Sequence, residues 1–416
     1  MMNNLIIKNA FVSTPQGSTA LKGAEMGKIR TIKDAAIVIT DGVIDYCGPQ
    51  ADMPEIKNPG DYKVVDAKGN AVLPGFVDSH THLIFGGYRP DEFEWRMKGD
   101  SYMSIMERGG GIQSTVNATR GESVENFVKK AQWFINRMSE MGVTTVEAKS
   151  GYGLDTETEL KMLDAIDRLA KDPEQKLRVI STFLGAHAVP KEYKGRTAEY
   201  VDHIINDMLP VVKGKAKFCD IFTEKNVFEI EDSRRLLKAA RECGFELKLH
   251  ADEIVTLGGA ELSAELKATS ADHLLHVSDQ GVKDMAEAGV VATLLPLTAF
   301  TLKEPYAPAR KFIDSGAAVA LATDLNPGSC FSGSIPLTIA LACIYMNMSI
   351  EETITALTLN GAAALGIADK TGSLEKGKAG DVIILHYDNF RMMPYYVGMN
   401  CVKTVISKGR IVTENN

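Results

Sequence analysis

The sequence predicts an α/β fold: a TIM-like (β/α)8 barrel with a small composite β-sandwich domain formed by both termini. Three observations carry this expectation. Through the middle of the chain, apolar runs of strand length alternate with helical patterns, the sign of βαβ units around a parallel sheet. Both ends are rich in short β runs and turns, and neither holds enough strands to bury a core alone. The first strand of the middle region ends in His80-Thr81-His82, where an open doubly wound sheet would carry a glycine-rich phosphate loop.

Taken in order, Leu5-Ile6-Ile7 opens the N-terminal part, and the runs 35–40 and 43–46 flank Asp41-Gly42. An Asp-Gly between apolar runs predicts a hairpin, because both turn residues tolerate positive φ. The first barrel strand is the apolar run that starts at Val72 and leads to the paired histidines. Seven more runs follow, at 142–147, 178–184, 218–222, 246–250, 270–273, 290–295 and 317–324. Helical patterns at 123–141, 156–170 and 233–243 lie between them, and one at 349–365 follows the last. The run 335–346 reads as a buried core helix, since Thr338 and Tyr345 interrupt it and it is too short to span a bilayer. The C-terminal part repeats the β and turn character at 381–385, 402–406, Lys408-Gly409 and 411–412. The expected domains are 1–70 and 371–416 for the composite β-sandwich, and 71–370 for the barrel.

Composition narrows the partners. The chain has 416 residues, 45% of them hydrophobic and 24% charged, with a net charge of −8 and no basic patch. That excludes nucleic acid and an anionic membrane surface, and leaves a small molecule as the expected partner. The apolar run at the start is too short for a signal peptide. Six cysteines without a Cys-x-x-Cys pair read as reduced thiols of a cytoplasmic protein.

The histidines point to chemistry. His80 and His82 lie two residues apart, so in an extended chain they face the same side. His250 ends the fifth run, His273 the sixth and Asp324 the eighth, and His187 lies just past the third. His203, His276 and His386 stand outside this pattern. In a β/α barrel the C-terminal strand ends form one rim, so these groups would meet there. The imidazoles of His80, His82 and His250 with the Asp324 carboxylate suit one zinc ion, and would also hold iron or manganese. A water on such an ion has its pKa lowered towards about 7. Asp324 can also serve as the base, and His273 can polarise a carbonyl or hold an oxyanion.

The segment Pro74-Gly75-Phe76-Val77-Asp78-Ser79-His80-Thr81-His82, with a β domain from both termini, resembles the amidohydrolase superfamily of metal-dependent hydrolases. The resemblance spans nearly the whole chain and implies the same barrel and the same four ligands. Binuclear members carry a lysine at the end of the fourth strand. Here that strand ends Phe222-Thr223-Glu224, so a single divalent or trivalent ion, zinc or iron, is expected. Within the superfamily the blocks 85–89, 109–112, 149–154, 184–190, 250–253 and 324–329 resemble the branch that hydrolyses 4-imidazolone-5-propanoate to N-formimidoyl-L-glutamate. That resemblance implies substrate contacts at Arg89, Tyr102, Tyr152, His187 and Glu253, product contacts at Asn326, Gly328 and Ser329, and a homodimer.

Most of these residues also have a reading of their own. Arg89 offers a planar fork to a carboxylate, a charge-assisted bond of roughly 1.5–3 kcal/mol. Glu253, three residues past His250, is placed to pass a proton to a leaving nitrogen. The turn Asn326-Pro327-Gly328-Ser329 offers backbone N–H groups to an anion. Tyr152, between two glycines, presents a hydroxyl from a bent loop, and Gly109-Gly110-Gly111 suggests a flap. Tyr102 rests on the resemblance alone. The alternatives are a purine or pyrimidine base deaminase of the same superfamily, which would release ammonia, and a metal-binding scaffold without turnover.

Overall fold

The structure is a computed structural model that describes residues 3–100, 108 and 110–415. Tyr102 and Gly109, both singled out above, lie outside those residues. β1 (Leu5–Thr14) pairs antiparallel with β2 (Arg30–Thr40), which turns through Asp41 and Gly42 into β3 (Val43–Pro49). Asp41 and Gly42 have φ of +49° and +81°, as a tight hairpin of this hand requires. β4 (Lys63–Asp66) and β5 (Ala71–Pro74) both run parallel to β1.

The apolar run that starts at Val72 is two strands in two sheets rather than one. After Pro74 the Gly75 N–H donates to the Asp381 carbonyl at 3.0 Å, and the Phe76 N–H donates to the Gly142 carbonyl at 2.9 Å. A Cβ on Gly75 would lie 2.3 Å from the Thr144 side chain, so glycine is what allows the chain to cross between sheets here. Both halves of the run are buried, and hydrophobicity alone therefore cannot mark the break.

From this crossing the barrel strands follow: β6 (Phe76–Asp78), β7 (Val143–Lys149), β8 (Arg178–Ala186), β9 (Phe218–Thr223), β10 (Glu246–Ala251), β11 (Ser270–His273), β12 (Val291–Leu294) and β13 (Ala318–Leu321). All pair in parallel, each with its sequence neighbours, as a TIM-like barrel requires. Amphipathic helices Val124–Glu140, Thr156–Lys171 and Ile230–Glu242 cover three of the crossovers. The helix expected over 349–365 is broken at Thr358, whose backbone (φ −124°, ψ −90°) leaves helical space between Ile350–Leu357 and Leu359–Ala364. The break lets Gly361 approach Val77: a Cβ there would lie 2.9 Å from its carbonyl oxygen.

The barrel closes beyond the regular strands. Thr81 forms a parallel bridge with Leu325. The Asp324 N–H donates to the His80 carbonyl at 3.0 Å, and the His82 N–H donates to the Leu325 carbonyl at 2.9 Å. Just below, the buried Asp78 carboxylate accepts from the Thr323 N–H at 3.0 Å and from its hydroxyl at 2.6 Å. β14 (Val382–Leu385), β15 (Val402–Ser407) and β16 (Arg410–Glu414) then complete the first sheet. β14 pairs antiparallel with β5, so strands from the two termini share one mixed sheet. Among the described residues no helix is long and apolar enough to cross a membrane.

Asp78→Ala should loosen the closing seam. It orphans two buried Thr323 donors, each costing roughly 1–3 kcal/mol, and a urea midpoint equal to wild type would show that the seam is held by other contacts.

Candidate active site

The seam determines where the site forms. His80 and His82 leave the barrel just after β6 in extended backbone, and Asp324 leaves it just after β13. Because the two segments are hydrogen-bonded in register, the three side chains meet. The Asp324 Oδ1 lies 3.6 Å from His80 Nε2 and 3.6 Å from His82 Nε2. His250, at the end of β10, packs its ring 4.6 Å from that of His80 and 5.5 Å from that of His82. His273, the last residue of β11, stands 5.1 Å from His250, ring to ring. Ligand atoms of His80, His82 and Asp324 lie within 4.8 Å of one another, as do those of His80, His250 and His273 and those of His82, His187 and His250.

This donor set fits a metal ion. Among the described residues His80 Nε2 and His250 Nε2 are buried without any hydrogen-bond partner, which costs free energy unless something electron-poor faces them. Their other ring nitrogens are engaged: His80 Nδ1 lies 2.6 Å from Asp272 Oδ2, and His250 Nδ1 lies 3.1 Å from Asp220 Oδ2. A carboxylate at Nδ1 fixes the tautomer that leaves Nε2 bare. Burial disfavours the imidazolium of His80, His82 and His273 and holds all three well below the usual histidine range. At His250 burial acts the same way, but Asp220 outweighs it and pulls the imidazole up. The extra proton so favoured would sit on Nε2, the position a cation would take.

Beneath the ligands lies a set of fully buried charges that composition alone does not reveal. Lys149 Nζ lies 2.7 Å from Asp220 and 3.0 Å from Glu147. Lys248 Nζ lies 3.4 Å from Glu147 and 3.5 Å from Asp272, and donates to the Ser79 carbonyl at 3.0 Å. Burial would raise the Asp220 carboxyl, yet His250 and Lys149 hold it well below the usual carboxylate range. These residues escaped the sequence reading, although a signal was there. Glu147 and Lys149, and likewise Lys248 and His250, sit two apart in their strands, so each pair shares the inner face of the barrel.

Four strand-end residues adopt left-handed backbone: Asp252 at φ +49°, His273 at +76°, Leu274 at +62° and Asp324 at +54°. Non-glycine residues rarely take this conformation, and the cluster marks a rim whose side chains are aimed by the surrounding hydrogen bonds. Asp324 Oδ2 accepts from the Thr298 hydroxyl at 2.6 Å, and burial pushes its carboxyl up to about 6.

The remaining expected contacts are distributed around this cluster. His187 stacks on His82 at 4.9 Å, and its Nδ1 donates to the Gly151 carbonyl at 3.0 Å, leaving Nε2 free to accept. Burial and the neighbouring His250 push His187 down to about 3, so it is neutral. The Tyr152 ring is buried 5.0 Å from that of His187. Glu253 Oε2 lies 3.6 Å from His273 Nε2, and burial, with Asp324 adding repulsion, raises its carboxyl to about 8. Arg89 reaches inward near enough for its charge to act on Tyr152 and His187, and its Nε is buried without a partner among the described residues. Its guanidinium rests on Gly328, where a Cβ would come within 1.7 Å of Nη2. Its Nη1 lies 3.5 Å from the Glu92 carboxylate.

The turn at 326–329 differs from expectation. Its N–H groups are not free for an anion: Gly328 and Ser329 both donate to Asn326 Oδ1 at 2.8 Å. An asparagine at the head of a turn satisfies the turn's own amides, which is a cheaper partner than a ligand. At the end of β9, Thr223 bonds Ser233, and Glu224 Oε2 accepts from the Ile254 N–H at 2.9 Å, so both side chains are engaged by neighbouring segments.

Asp272→Asn tests the orientation of His80. It should weaken metal retention about 10–100-fold, read as metal content after dialysis against a graded chelator. Wild-type retention with an intact fold would remove Asp272 from that role.

A model of the amidohydrolase family matches residues 71–412. Over 417 residues, covering 100% of each chain, the sequence is 63% identical to an imidazolonepropionase from Phocaeicola vulgatus and 61% identical to one from Bacteroides thetaiotaomicron. An imidazolonepropionase from Clostridium tetani is 55% identical over 98% of each chain. Among solved structures, a 5-methylcytosine deaminase from Klebsiella pneumoniae superposes with a TM-score of 0.74 at 17% identity, over 99% of this chain and 98% of that one. An E. coli guanine deaminase gives 0.71, also at 17% identity, over 99% and 100%. The deaminases thus share the fold, whereas the imidazolonepropionases share more than half of the sequence from end to end. The chain belongs to the amidohydrolase family, and within it to the imidazolonepropionases.

Proposed function

We propose that this chain hydrolyses the cyclic amide C–N bond of 4-imidazolone-5-propanoate to give N-formimidoyl-L-glutamate, a step of histidine degradation. The observation that carries the reading is the pairing, at one rim, of a His and Asp donor cluster with an inward guanidinium whose Nε lacks a partner among the described residues. The full-length identity to imidazolonepropionases supports it. His80, His82, His250 and Asp324 would hold one ion, zinc or iron. When bound, that ion supplies the Lewis acidity that activates water.

The chain's own residues then divide the work. Arg89 grips the propanoate carboxylate and sets the ring over the cluster. Asp324 takes a proton from the attacking water as its oxygen bonds to the ring carbonyl carbon. His273, presented in strained backbone, stabilises the carbonyl oxygen as it gains charge. Glu253 protonates the ring nitrogen as the C–N bond breaks, and Tyr152 and His187 flank the ring. Asn326 and Ser329 shape the turn beside the product, and Gly328 leaves the space that Arg89 occupies. A second copy of the chain is the proposed partner. Ile344, Tyr345, Tyr395 and Val397, exposed at the ends of helices Ile335–Ile344 and Met392–Tyr395, support an apolar contact face. The six free thiols suit the cytoplasm.

The test is incubation with imidazolonepropionate, following loss of ring absorbance with and without chelator. Chelator-sensitive ring opening without ammonia is expected, and ammonia release from a nucleobase instead would establish the deaminase alternative. Arg89→Ala should raise KM at least tenfold with kcat little changed, because the tail it grips is the same in ground and transition states; a fall in kcat alone would rule out the clamp. Glu253 donates its proton only while protonated, and with its carboxyl raised to about 8 the acid form is lost as pH rises through that value. The kcat profile should therefore fall on the alkaline side, and Glu253→Gln should be slow and lack that limb. A Glu253→Gln profile with the limb retained would assign it to another group.

A further inference from the structure

We infer that Glu159 is a positioning residue for both Tyr152 and His187, acting through the bend 150–154 that it pins from below; the inference rests on the site roles proposed above for those two residues. Glu159 lies in the first turn of the helix Thr156–Lys171 and is completely buried. No cation pairs with it among the described residues, and its carboxylate is spent on the bend. Oε1 accepts the N–H groups of Gly153 at 2.8 Å and Leu154 at 3.0 Å, and Oε2 accepts that of Gly151 at 3.0 Å. Three amides converging on one carboxylate fold the chain into a shape it would not otherwise hold. Gly151 sits at φ +110° and Leu154 at +55°. A Cβ on Gly151 would lie 2.8 Å from the Leu184 carbonyl oxygen, and one on Gly153 would lie 2.8 Å from the Glu159 nitrogen.

Two site groups depend on this shape. Tyr152 is carried at the apex of the bend, and the Gly151 carbonyl accepts the His187 Nδ1–H at 3.0 Å. That single hydrogen bond chooses the His187 tautomer, so a shift of Gly151 moves the ring that stacks on His82 as well as its free Nε2. Glu159 thus reaches His187 through two hydrogen bonds, one from the Gly151 N–H and one at the Gly151 carbonyl, and reaches Tyr152 through the two glycines that flank it. Glutamine at 159 would turn an NH2 towards some of these amides, opposing donor to donor in a buried space.

The experiment compares wild type, Glu159→Gln and Leu169→Ala. Leu169 is buried in the last turn of the same helix, away from the bend, so its truncation reports helix destabilisation alone. Measured are KM and kcat for imidazolonepropionate, bound metal, melting temperature, and amide hydrogen exchange of residues 150–155. In Glu159→Gln we expect KM to rise at least tenfold, more than kcat falls, with metal content unchanged and faster exchange at Gly151, Gly153 and Leu154. In Leu169→Ala a comparable drop in melting temperature should leave KM within twofold. A KM within twofold of wild type in Glu159→Gln, or an equal rise in both variants, overturns the inference. A wild-type protein that leaves imidazolonepropionate unchanged instead refutes the substrate reading. The inference then stands or falls on the exchange, and unaltered protection of the three amides in Glu159→Gln overturns it.

Discussion

Two backbone hydrogen bonds, from Asp324 to His80 and from His82 to Leu325, join the start of the barrel to its end. Closing a sheet into a barrel requires its first and last strands to pair in a single register. In this chain that register is set where the ligand side chains leave the backbone, so the act of closure also brings two imidazoles and a carboxylate together. Asp78, bonded to both the N–H and the hydroxyl of Thr323, holds the same register one layer deeper. A slip by one residue would turn Asp324 to the opposite face and dissolve the cluster.

Below the ligands the barrel interior is not the apolar stack usual for this fold. Glu147, Lys149, Asp220, Lys248 and Asp272 are all fully buried and connected by ion pairs. Isolated, each would carry a desolvation penalty of several kcal/mol. Assembled, they compensate one another and leave two carboxylates, Asp220 and Asp272, directed at His250 and His80. The lattice is therefore better understood as a means of fixing two imidazoles than as a source of stability. It also explains why Lys149, although it belongs to the second barrel strand, is as deeply placed as any core residue.

The rim above is built on a third device, the buried acid that collects backbone amides. Glu159 holds the bend bearing Tyr152, Glu224 holds the segment that follows Glu253, and Asp252 accepts four amides from residues 257–260. Each bend departs from regular strand or helix, so its amides need partners that secondary structure does not supply. A carboxylate, with room for several donors, meets that need without a ligand. Asn326 does the same for the turn at 328–330, which is why those amides serve the protein rather than an anion.

Much of this was legible in the residues. Period-two patterning and run length are properties of short segments, so the eight barrel strands, the two hairpin turns and the placement of histidines at strand ends could be read directly. The placement of Lys248 on the same face as His250 follows from the same alternation. Other features depend on residues remote in sequence: Asp272 is 192 positions from the His80 it orients, and Thr323 is 245 from Asp78. The crossing at Gly75, the break at Thr358 and the choice of Asn326 as the partner of its own turn are likewise settled by packing and by competition for donors. Which side chains reach the rim follows from the order of residues, because alternation along a strand is local. Which of them touch, and which nitrogen of each ring is left bare, follows from closure of the barrel and from partners that no local pattern specifies.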